Sequence, residues 1–227
     1  MRKRIPVGRS RGTRGLIPVF LWGLLAMLLA AAPLAAAERP LVLVMGDSLS
    51  AAYGIEREAG WVHLLAERLD GKARVVNACI SGETSSGGAA RLPELLRQHA
   101  PDIVLLELGG NDGLRGLPPG QLRANLATMI EASRAAGAEV LLLGIDVPPN
   151  YGPAYRDAFT GVFQRLADRY SVPLVPFLLE GVALDHGLMQ ADGIHPTAAA
   201  QPAILANVWP ALAPLLEADL AQTEAAH

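Results

Sequence analysis

An α/β fold built around a parallel sheet is predicted by three observations on this 227-residue chain. From Leu41 onward, short apolar runs alternate with amphipathic segments, and this order is what helical crossovers between parallel strands require. Most of the runs are almost continuously apolar, as expected of strands buried on both faces. No internal repeat and no linker rich in glycine or serine divides the sequence, which favours a single folded domain.

Five segments fit the strand pattern, and apolar residues at helical spacing lie between or after them. The predicted strands are Leu41 to Met45, Ala73 to Ala78, Ile103 to Leu108, Val140 to Ile145, and Val172 to Val175. The helical stripes are Trp61, Leu64, Leu65 and Leu69; Leu122, Leu126, Met129 and Ile130; and Ile204, Leu205, Val208, Trp209 and Leu212. Arg74 and Asn77 make the second strand the weakest, and Pro210 is expected to bend the last helix.

The N-terminal segment predicts export. Six basic residues and no acidic one lie in the first fourteen positions, and an apolar run from Leu16 to Leu34 leads into three alanines. This pattern predicts a secretory signal peptide over residues 1–37 and a mature domain over residues 38–227. An uncleaved membrane anchor is the alternative, because the apolar run is nearly long enough to span a bilayer. After cleavage we expect no stable membrane span.

Charge and composition exclude several classes of function. Without the leader, 13 basic residues face 22 acidic ones, and the resulting charge of −9 argues against a nucleic-acid partner. Cys79 is the only cysteine, so no internal disulfide can form, and we expect a small buried residue at a strand end. The sequence carries no local metal-binding or phosphate-binding motif, so no metal and no cofactor is predicted. Without a long apolar heptad pattern we expect a monomer.

Polar residues follow the predicted strands at the edge of the sheet where ligands of open parallel sheets bind. Ser48 lies in Gly-Asp-Ser-Leu-Ser after the first strand, Gly82 after the second, and Asn111 in Gly-Gly-Asn-Asp after the third. Beyond the last strand, Asp192 and His195 lie in Asp-Gly-Ile-His-Pro. We therefore expect these side chains to lie close together.

A serine nucleophile with a histidine base is the chemistry these residues favour. Ser48 is reactive only if a base accepts its proton, and of five histidines only His195 has a carboxylate three residues before it in a glycine-containing turn. Asp192 can then bind Nδ1 of the imidazole and fix its tautomer. Taken alone, Ser48 is better explained as a helix cap or turn residue, and Asp192 as a turn former. We predict Ser48, His195 and Asp192 as the catalytic residues.

Acyl transfer also needs hydrogen-bond donors for the developing oxyanion. The available donors are the backbone N–H groups of Ser48 and Gly82 and the side-chain amide of Asn111. As isolated residues, Gly82 and Asn111 are more often turn formers. With a nucleophile and a base nearby, they are predicted to form the oxyanion hole.

Taken together, the four segments resemble the SGNH, or GDSL-type, hydrolase family, whose signature residues are a Ser, a Gly, an Asn and a His in four blocks. The similarity covers nearly the whole predicted mature chain and is greatest to the bacterial periplasmic thioesterases, lysophospholipases and arylesterases of that family. The shared stretches are 46–51, 80–85, 107–116, 149–152 and 189–196.

The resemblance implies a flavodoxin-like three-layer α/β/α sandwich with a five-stranded parallel sheet, and a periplasmic location. It implies an acyl-serine intermediate and a substrate that is an acyl ester, a thioester or a lysophospholipid. It also implies a mobile loop from Gly113 to Leu117 beside the acyl pocket, with substrate contacts from Leu114, Leu117, Val147 and Pro148.

The chain departs from the family pattern at two places. Cys79 stands where a serine is usual, and Ile145-Asp146-Val147 stands where the thioesterases have a basic residue followed by leucine. The second difference borders the acyl crevice, so the chain-length preference of the relatives is not carried over.

The same residues are to be compared with what three other functions require. A carbohydrate O-deacetylase would use the same chemistry, but apolar Leu114, Leu117 and Val147 suit an aliphatic chain better than a sugar. A non-catalytic envelope binding protein is expected to have lost a member of the triad, and all three members are present. True peptide cleavage is not expected, because no peptide groove is recognisable. The surroundings of Ser48 also do not fit the Gly-x-Ser-x-Gly elbow of the other large hydrolase fold.

Overall fold

Five parallel strands form one sheet in the computed structural model, which describes residues 39–225. The spatial order of the strands is β2-β1-β3-β4-β5, which is the flavodoxin-like order. The strands are β1 (Leu41–Gly46), β2 (Arg74–Asn77), β3 (Ile103–Glu107), β4 (Glu139–Leu143) and β5 (Leu174–Val175). All five predicted strands are confirmed, with the last one shorter than expected, and the predicted α/β class is confirmed with them.

Helices cover the two faces of the sheet. They are α1 (Trp61–Arg68), α2 (Ser85–His99), α3 (Gly110–Leu114), α4 (Pro119–Ala135), α5 (Pro153–Tyr170) and α6 (Gln201–Ala225). Helices α1 and α6 contact each other, whereas α4 lies between α2 and α5. The buried side chains of β1, β3 and β4 are fully enclosed between these layers, as the continuous apolar runs require.

The sheet has its topological switch point between β1 and β3. The chain leaves β1 toward β2 on one side, then crosses back to β3 on the other side, and Gly46 at the end of β1 pairs with Glu107 at the end of β3. The residues that follow these two strands therefore emerge side by side. Ligands of open α/β sheets bind at such a point.

The last helix is the most apolar of the long helices. It runs through Pro210 and Pro214, and it buries Ile204, Val208 and Leu212 completely. Among the described residues, Ala198–Ala221 is the one stretch long and apolar enough to cross a membrane by length and composition. The buried residues place one side of this helix in the core. The predicted signal peptide, residues 1–37, lies outside the described part of the chain.

Candidate active site

Ser48 lies in the first turn after β1. The carbonyl of Asp47 accepts hydrogen bonds from the N–H groups of Ser50 and Ala51 at 3.3 and 3.0 Å, so the chain turns as soon as the strand ends. The side chain of Asp47 caps this turn, because its Oδ1 accepts the N–H of Leu49 at 3.1 Å. Within residues 39–225, the N–H of Ser48 has no acceptor and is free to bind a ligand.

Asp192 and His195 lie on a small hairpin before α6. Met189 and Pro196 form an antiparallel bridge, and the N–H of Gln190 donates to the carbonyl of His195 at 2.7 Å. Gly193 turns the hairpin with φ of +67°, a conformation that favours glycine. The hairpin therefore presents two reactive side chains from a closed loop rather than from a helix or strand.

The three predicted catalytic residues form a continuous hydrogen-bonded chain. Nε2 of His195 lies 2.8 Å from Oγ of Ser48, and Nδ1 lies 2.7 Å from Oδ2 of Asp192. Hydrogen bonds from the backbone and side chain of His195 and from the N–H of Ile194 lower the pKa of Asp192 to about 2. Because an ionised carboxylate only accepts, Nδ1 must carry the proton, and Nε2 is left to accept the proton of Ser48.

The candidate oxyanion donors lie on the turns that follow β1 and β2 and in helix α3, which follows β3. The N–H of Glu83 donates to the carbonyl of Ile80 at 3.1 Å, and Gly82 has φ of +80° at the third position of this four-residue turn, where type II geometry requires glycine. No acceptor for the N–H of Gly82 lies in the described part of the chain. In the described residues, the N–H groups of Ser48 and Gly82, which lie on separate loops, are therefore both without an acceptor.

Asn111 joins these turns through its side chain. Its Nδ2 donates to Oδ2 of Asp47 at 3.0 Å and to the carbonyl of Glu83 at 2.9 Å, so it lies between the neighbours of Ser48 and Gly82. Both amide protons are used in this arrangement. To serve an oxyanion, Asn111 must share one of these protons with the substrate or exchange one partner for it.

Two buried carboxyl groups beneath Ser48 were missed by the sequence reasoning as parts of the site. Asp47 and Glu107 are 1% and 0% exposed. Burial raises the pKa of Asp47 to about 6, and burial and the nearby Asp47 raise the pKa of Glu107 well above its usual range. Oε2 of Glu107 accepts the Ser50 hydroxyl at 2.7 Å and the Asp47 N–H at 3.1 Å. The sequence signal that could have identified this pair was Glu107, a carboxyl group at the end of the otherwise apolar strand β3.

Cys79 lies close to this carboxyl pair. It is half-buried just after β2, as a strand-end position predicts, and its thiol donates to the carbonyl of Val44 at 3.5 Å. Burial, together with Glu107 and Asp47, raises the pKa of the Cys79 thiol. The thiol is therefore protonated and packs as a small side chain rather than acting as a nucleophile.

A groove of about 1140 Å³ extends from Ser48 and His195 along the carboxyl end of the sheet. Asp146 and Arg156 lie in its wall as an ion pair, with Nε of Arg156 at 2.8 and 2.9 Å from the carboxylate oxygens. The predicted contacts Leu114, Val147 and Pro148 line the groove. Its other apolar residues include Leu49, Ile145, Phe177, Leu179, Ala183, Met189 and Ile194. Most of the lining is therefore apolar, although Glu180, Asp185 and His186 also contribute to it.

Leu117 is the predicted contact that does not line this groove. Its carbonyl accepts the hydroxyl of Tyr155 at 2.8 Å, and the carbonyl of Leu114 accepts the hydroxyl of Tyr151 at 2.6 Å. Arg115 also donates to the carbonyl of Gly82 at 3.1 Å. Part of the segment expected as a mobile loop forms α3, and these bonds tie the segment to Tyr151 just before α5, to Tyr155 in α5 and to the turn of Gly82. Its mobility remains a prediction.

Within the described residues, no group of three His, Cys, Asp or Glu side chains is placed to hold a metal ion. The arrangement around Ser48 provides instead a nucleophile, a base, an orienting carboxylate and open N–H donors. These are the components of acyl transfer through a covalent intermediate.

Comparisons with known proteins agree with this arrangement. The model of the GDSL-like Lipase/Acylhydrolase family matches residues 44–202. The Pseudomonas aeruginosa protein named "Esterase TesA" is 58% identical over 178 residues, which cover 77% of this chain and 89% of that protein. The Escherichia coli K12 protein named "Thioesterase 1/protease 1/lysophospholipase L1" is 46% identical over 201 residues, covering 88% and 97%. The crystal structure of TesA superposes with a TM-score of 0.75 at 58% identity, covering 77% and 99%.

Proposed function

The chain belongs to the GDSL-like Lipase/Acylhydrolase family and is a hydrolase of acyl esters and thioesters, and we propose that Ser48, His195 and Asp192 carry out this reaction. The observation that carries the proposal is the unbroken chain from Ser48 Oγ through both ring nitrogens of His195 to an ionised Asp192. If Ser48 were only a helix cap and Asp192 only a turn former, their side chains would not need to be connected through His195.

In the proposed reaction, Oγ of Ser48 attacks the acyl carbonyl while Nε2 of His195 takes its proton. The carbon–oxygen or carbon–sulfur bond to the leaving group then breaks, and His195 returns the proton to the departing alcohol or thiol. Water repeats the sequence on the acyl-serine ester, which releases the acid and restores Ser48. Asp192 remains ionised throughout and stabilises the imidazolium.

The tetrahedral oxyanion is proposed to bind at the N–H groups of Ser48 and Gly82. Both lack acceptors within residues 39–225, so neither must break a protein hydrogen bond to bind the substrate. Asn111 completes the site by sharing a proton that now binds Asp47 or Glu83. Fixed donors of this kind typically contribute about 3 kcal/mol each to the transition state.

An aliphatic acyl chain fits the groove better than a sugar does. The wall near Ser48 is formed by apolar residues such as Leu114, Val147 and Phe177, which offer few hydrogen bonds to hydroxyl groups. In the Asp146–Arg156 pair of the wall each charge is matched, and Glu180, Asp185 and His186 also line the groove. The apolar wall near Ser48 supports a small-molecule acyl ester, thioester or lysophospholipid over an acetylated carbohydrate.

We further propose that the protein acts in the periplasm as a monomer, with no nucleic-acid partner and no membrane span after cleavage of the leader. The support is the basic, apolar and small-residue pattern of residues 1–37 and the acidic charge of the remainder. Cell fractionation and N-terminal sequencing of the exported protein test the location. Light scattering tests the monomer.

Hydrolysis of p-nitrophenyl esters from acetyl to palmitoyl tests the proposed function. We expect hydrolysis with a preference for longer chains, and a loss of about 10⁶ in kcat for Ser48→Ala. Ser86→Ala, an exposed serine in the first turn of α2, is the matched control and should keep full activity. An acetyl-only profile would favour carbohydrate deacetylation, and a wild type without activity would favour a binding protein.

A further inference from the structure

Tyr53 covers one face of the His195 imidazole. The two ring centroids lie 4.3 Å apart with an angle of 36° between the planes. Tyr53 is itself 50% exposed, so its position is not explained by burial in the core. It also lies outside the set of residues that line the groove beside Ser48. The ring therefore contacts the base without contacting the region proposed for the acyl chain.

The backbone of Tyr53 connects the serine turn to the histidine hairpin. Its N–H donates to the carbonyl of Ser48 at 3.3 Å, and its carbonyl accepts Nε2 of Gln190 at 2.8 Å. The same amide of Gln190 donates to the carbonyl of Pro196 at 2.9 Å, next to His195. One side-chain amide thus holds both loops at the position where the two rings meet.

The conformation on either side of Tyr53 is unusual for a surface loop. Ala52 has φ of +60° and Gly54 has φ of +74°, so the residues before and after Tyr53 both lie in the left-handed region. For Ala52 this conformation is unfavourable by about 1 kcal/mol or more. A side chain at Gly54 would lie 2.3 Å from Oε1 of Gln190, so the tie to the hairpin requires glycine there. This loop is held in a costly conformation that aims an exposed ring at His195.

From this geometry we propose that Tyr53 is a positioning residue for His195, an inference that rests on the proposed function of Ser48 and His195. The face of an aromatic ring attracts a cation, so the ring favours the imidazolium that forms as Ser48 loses its proton. The charged groups that face the imidazole are Asp192 on its own hairpin and Asp47 after β1. The contact strengthens as charge develops, so it accelerates the chemical step rather than substrate binding.

Two substitutions separate the ring from its hydroxyl group. Tyr53→Phe keeps the aromatic face and should retain most of the activity, whereas Tyr53→Leu keeps apolar cover without that face. We expect Tyr53→Leu to lower kcat about 2- to 30-fold, the range that cation–π contacts support. The acid limb of its kcat/KM profile should move to lower pH, because the protonated ring has lost a favourable contact. KM and the preference among acyl chain lengths should not change.

Tyr170→Leu, near the end of α5, is the matched control for a tyrosine lost elsewhere and should leave kcat unchanged. A Tyr53→Leu enzyme with the wild-type kcat and pH profile would overturn the proposal. Equal losses in Tyr53→Phe and Tyr53→Leu would overturn it as well, since the hydroxyl rather than the ring would then matter. Failure of the proposed function looks different, because the wild type would then be inactive or Ser48→Ala would remain active.

Discussion

Two aspartates next to the reacting groups lie in opposite environments. Asp47 precedes Ser48 at the end of β1 and is 1% exposed, whereas the side chain of Asp192, on the hairpin of His195, is 38% exposed. Burial raises the pKa of Asp47 to about 6, and hydrogen bonds led by those of His195 lower the pKa of Asp192 to about 2. Both side chains accept a backbone N–H two residues ahead, so the local turn is not what separates them.

This difference shows that desolvation rather than local sequence decides the ionisation of each carboxylate. Asp192 accepts two backbone N–H groups and the imidazole while water still reaches it, so its charge costs little. Asp47 is enclosed, and the loss of water, together with the nearby carboxylate of Asp112, opposes its charge. Asp192 is therefore suited to stabilise the positive charge of the imidazolium. Asp47 is suited to a structural role, in which it accepts the N–H of Leu49 and the amide of Asn111.

Among changes to the two aspartates and the residues that contact them, Asp192→Asn has the largest expected effect. An amide at this position can present its N–H₂ group to Nδ1 of His195, which favours the wrong tautomer, and we expect kcat to fall about 10⁴-fold. Steady-state kinetics at pH 8 measures this. Because the pKa of Asp192 is about 2, its protonation cannot produce an acid limb near neutral pH. A loss below tenfold would mean that Asp192 does not orient the base.

Asn111→Ala tests the environment of Asp47, because the Asn111 amide donates to the Asp47 carboxylate. The change removes a donor proposed for the oxyanion, and we expect kcat to fall about 10² to 10³-fold with a smaller change in KM. It also removes the hydrogen bond that lowers the pKa of Asp47. Asn125→Ala is a control for an amide lost beside Ser85, away from Ser48. An unchanged kcat would remove Asn111 from the oxyanion site.

Asp47→Asn should change stability in a way that depends on pH. The folded pKa of Asp47 lies above its unfolded value, so the wild type gains stability as pH falls from 7 toward 4 and loses it as pH rises through 6. The variant lacks this dependence, and the difference between the two proteins should change by on the order of 3 kcal/mol over that range. Urea unfolding at pH 4.5 and 7.5 measures it. Parallel pH dependences would contradict the buried-charge account.

Glu107→Gln should have the smallest effect. Glu107 is fully buried, and burial together with the nearby Asp47 raises its pKa well above the usual range, which favours the neutral form that an amide matches in shape and charge. We expect the free energy of unfolding at pH 7 to change by about 1 kcal/mol or less. Glu107→Ala serves as the contrast, because it leaves the Ser50 hydroxyl without its acceptor. A large loss in Glu107→Gln would indicate that Glu107 is ionised.

Periodicity was sufficient for the strands and for three of the helices, but the sequence analysis did not identify α5, although α5 buries Phe159, Phe163 and Leu166. Periodicity predicted α1, α4 and α6, but α2 begins with Ser-Ser-Gly-Gly and contains Pro93, residues that disfavour helices. The structure explains this exception by packing: a side chain at Gly88 would lie 2.3 Å from Cδ1 of Leu108. The close approach of α2 to the residue after β3 requires glycine, and local propensity cannot reveal a tertiary requirement.

The proposed site was largely predictable because its residues follow strands or lie in short motifs. Ser48 and Gly82 lie in turns after strands, Asn111 lies in the short helix α3, and Asp192 and His195 lie on one hairpin, each in a motif that is visible in the sequence. Tyr53 and Gln190 were not predictable in the same way, since their contacts join residues 137 positions apart and depend on the left-handed conformation of Ala52. Leu117 lies outside the groove, in the segment between α3 and α4, and residue spacing does not tell which way such a connecting segment turns.

Covalent labelling with a p-nitrophenyl alkylphosphonate tests the central claim most directly. The reagent forms a phosphorus–oxygen bond to an activated serine and expels p-nitrophenol, so peptide mapping by mass spectrometry identifies the nucleophile. We predict one phosphonyl group on Ser48, and labelling that slows by orders of magnitude in His195→Ala. A label on Ser50 or another serine, or an unchanged labelling rate in His195→Ala, would contradict the assignment of nucleophile and base.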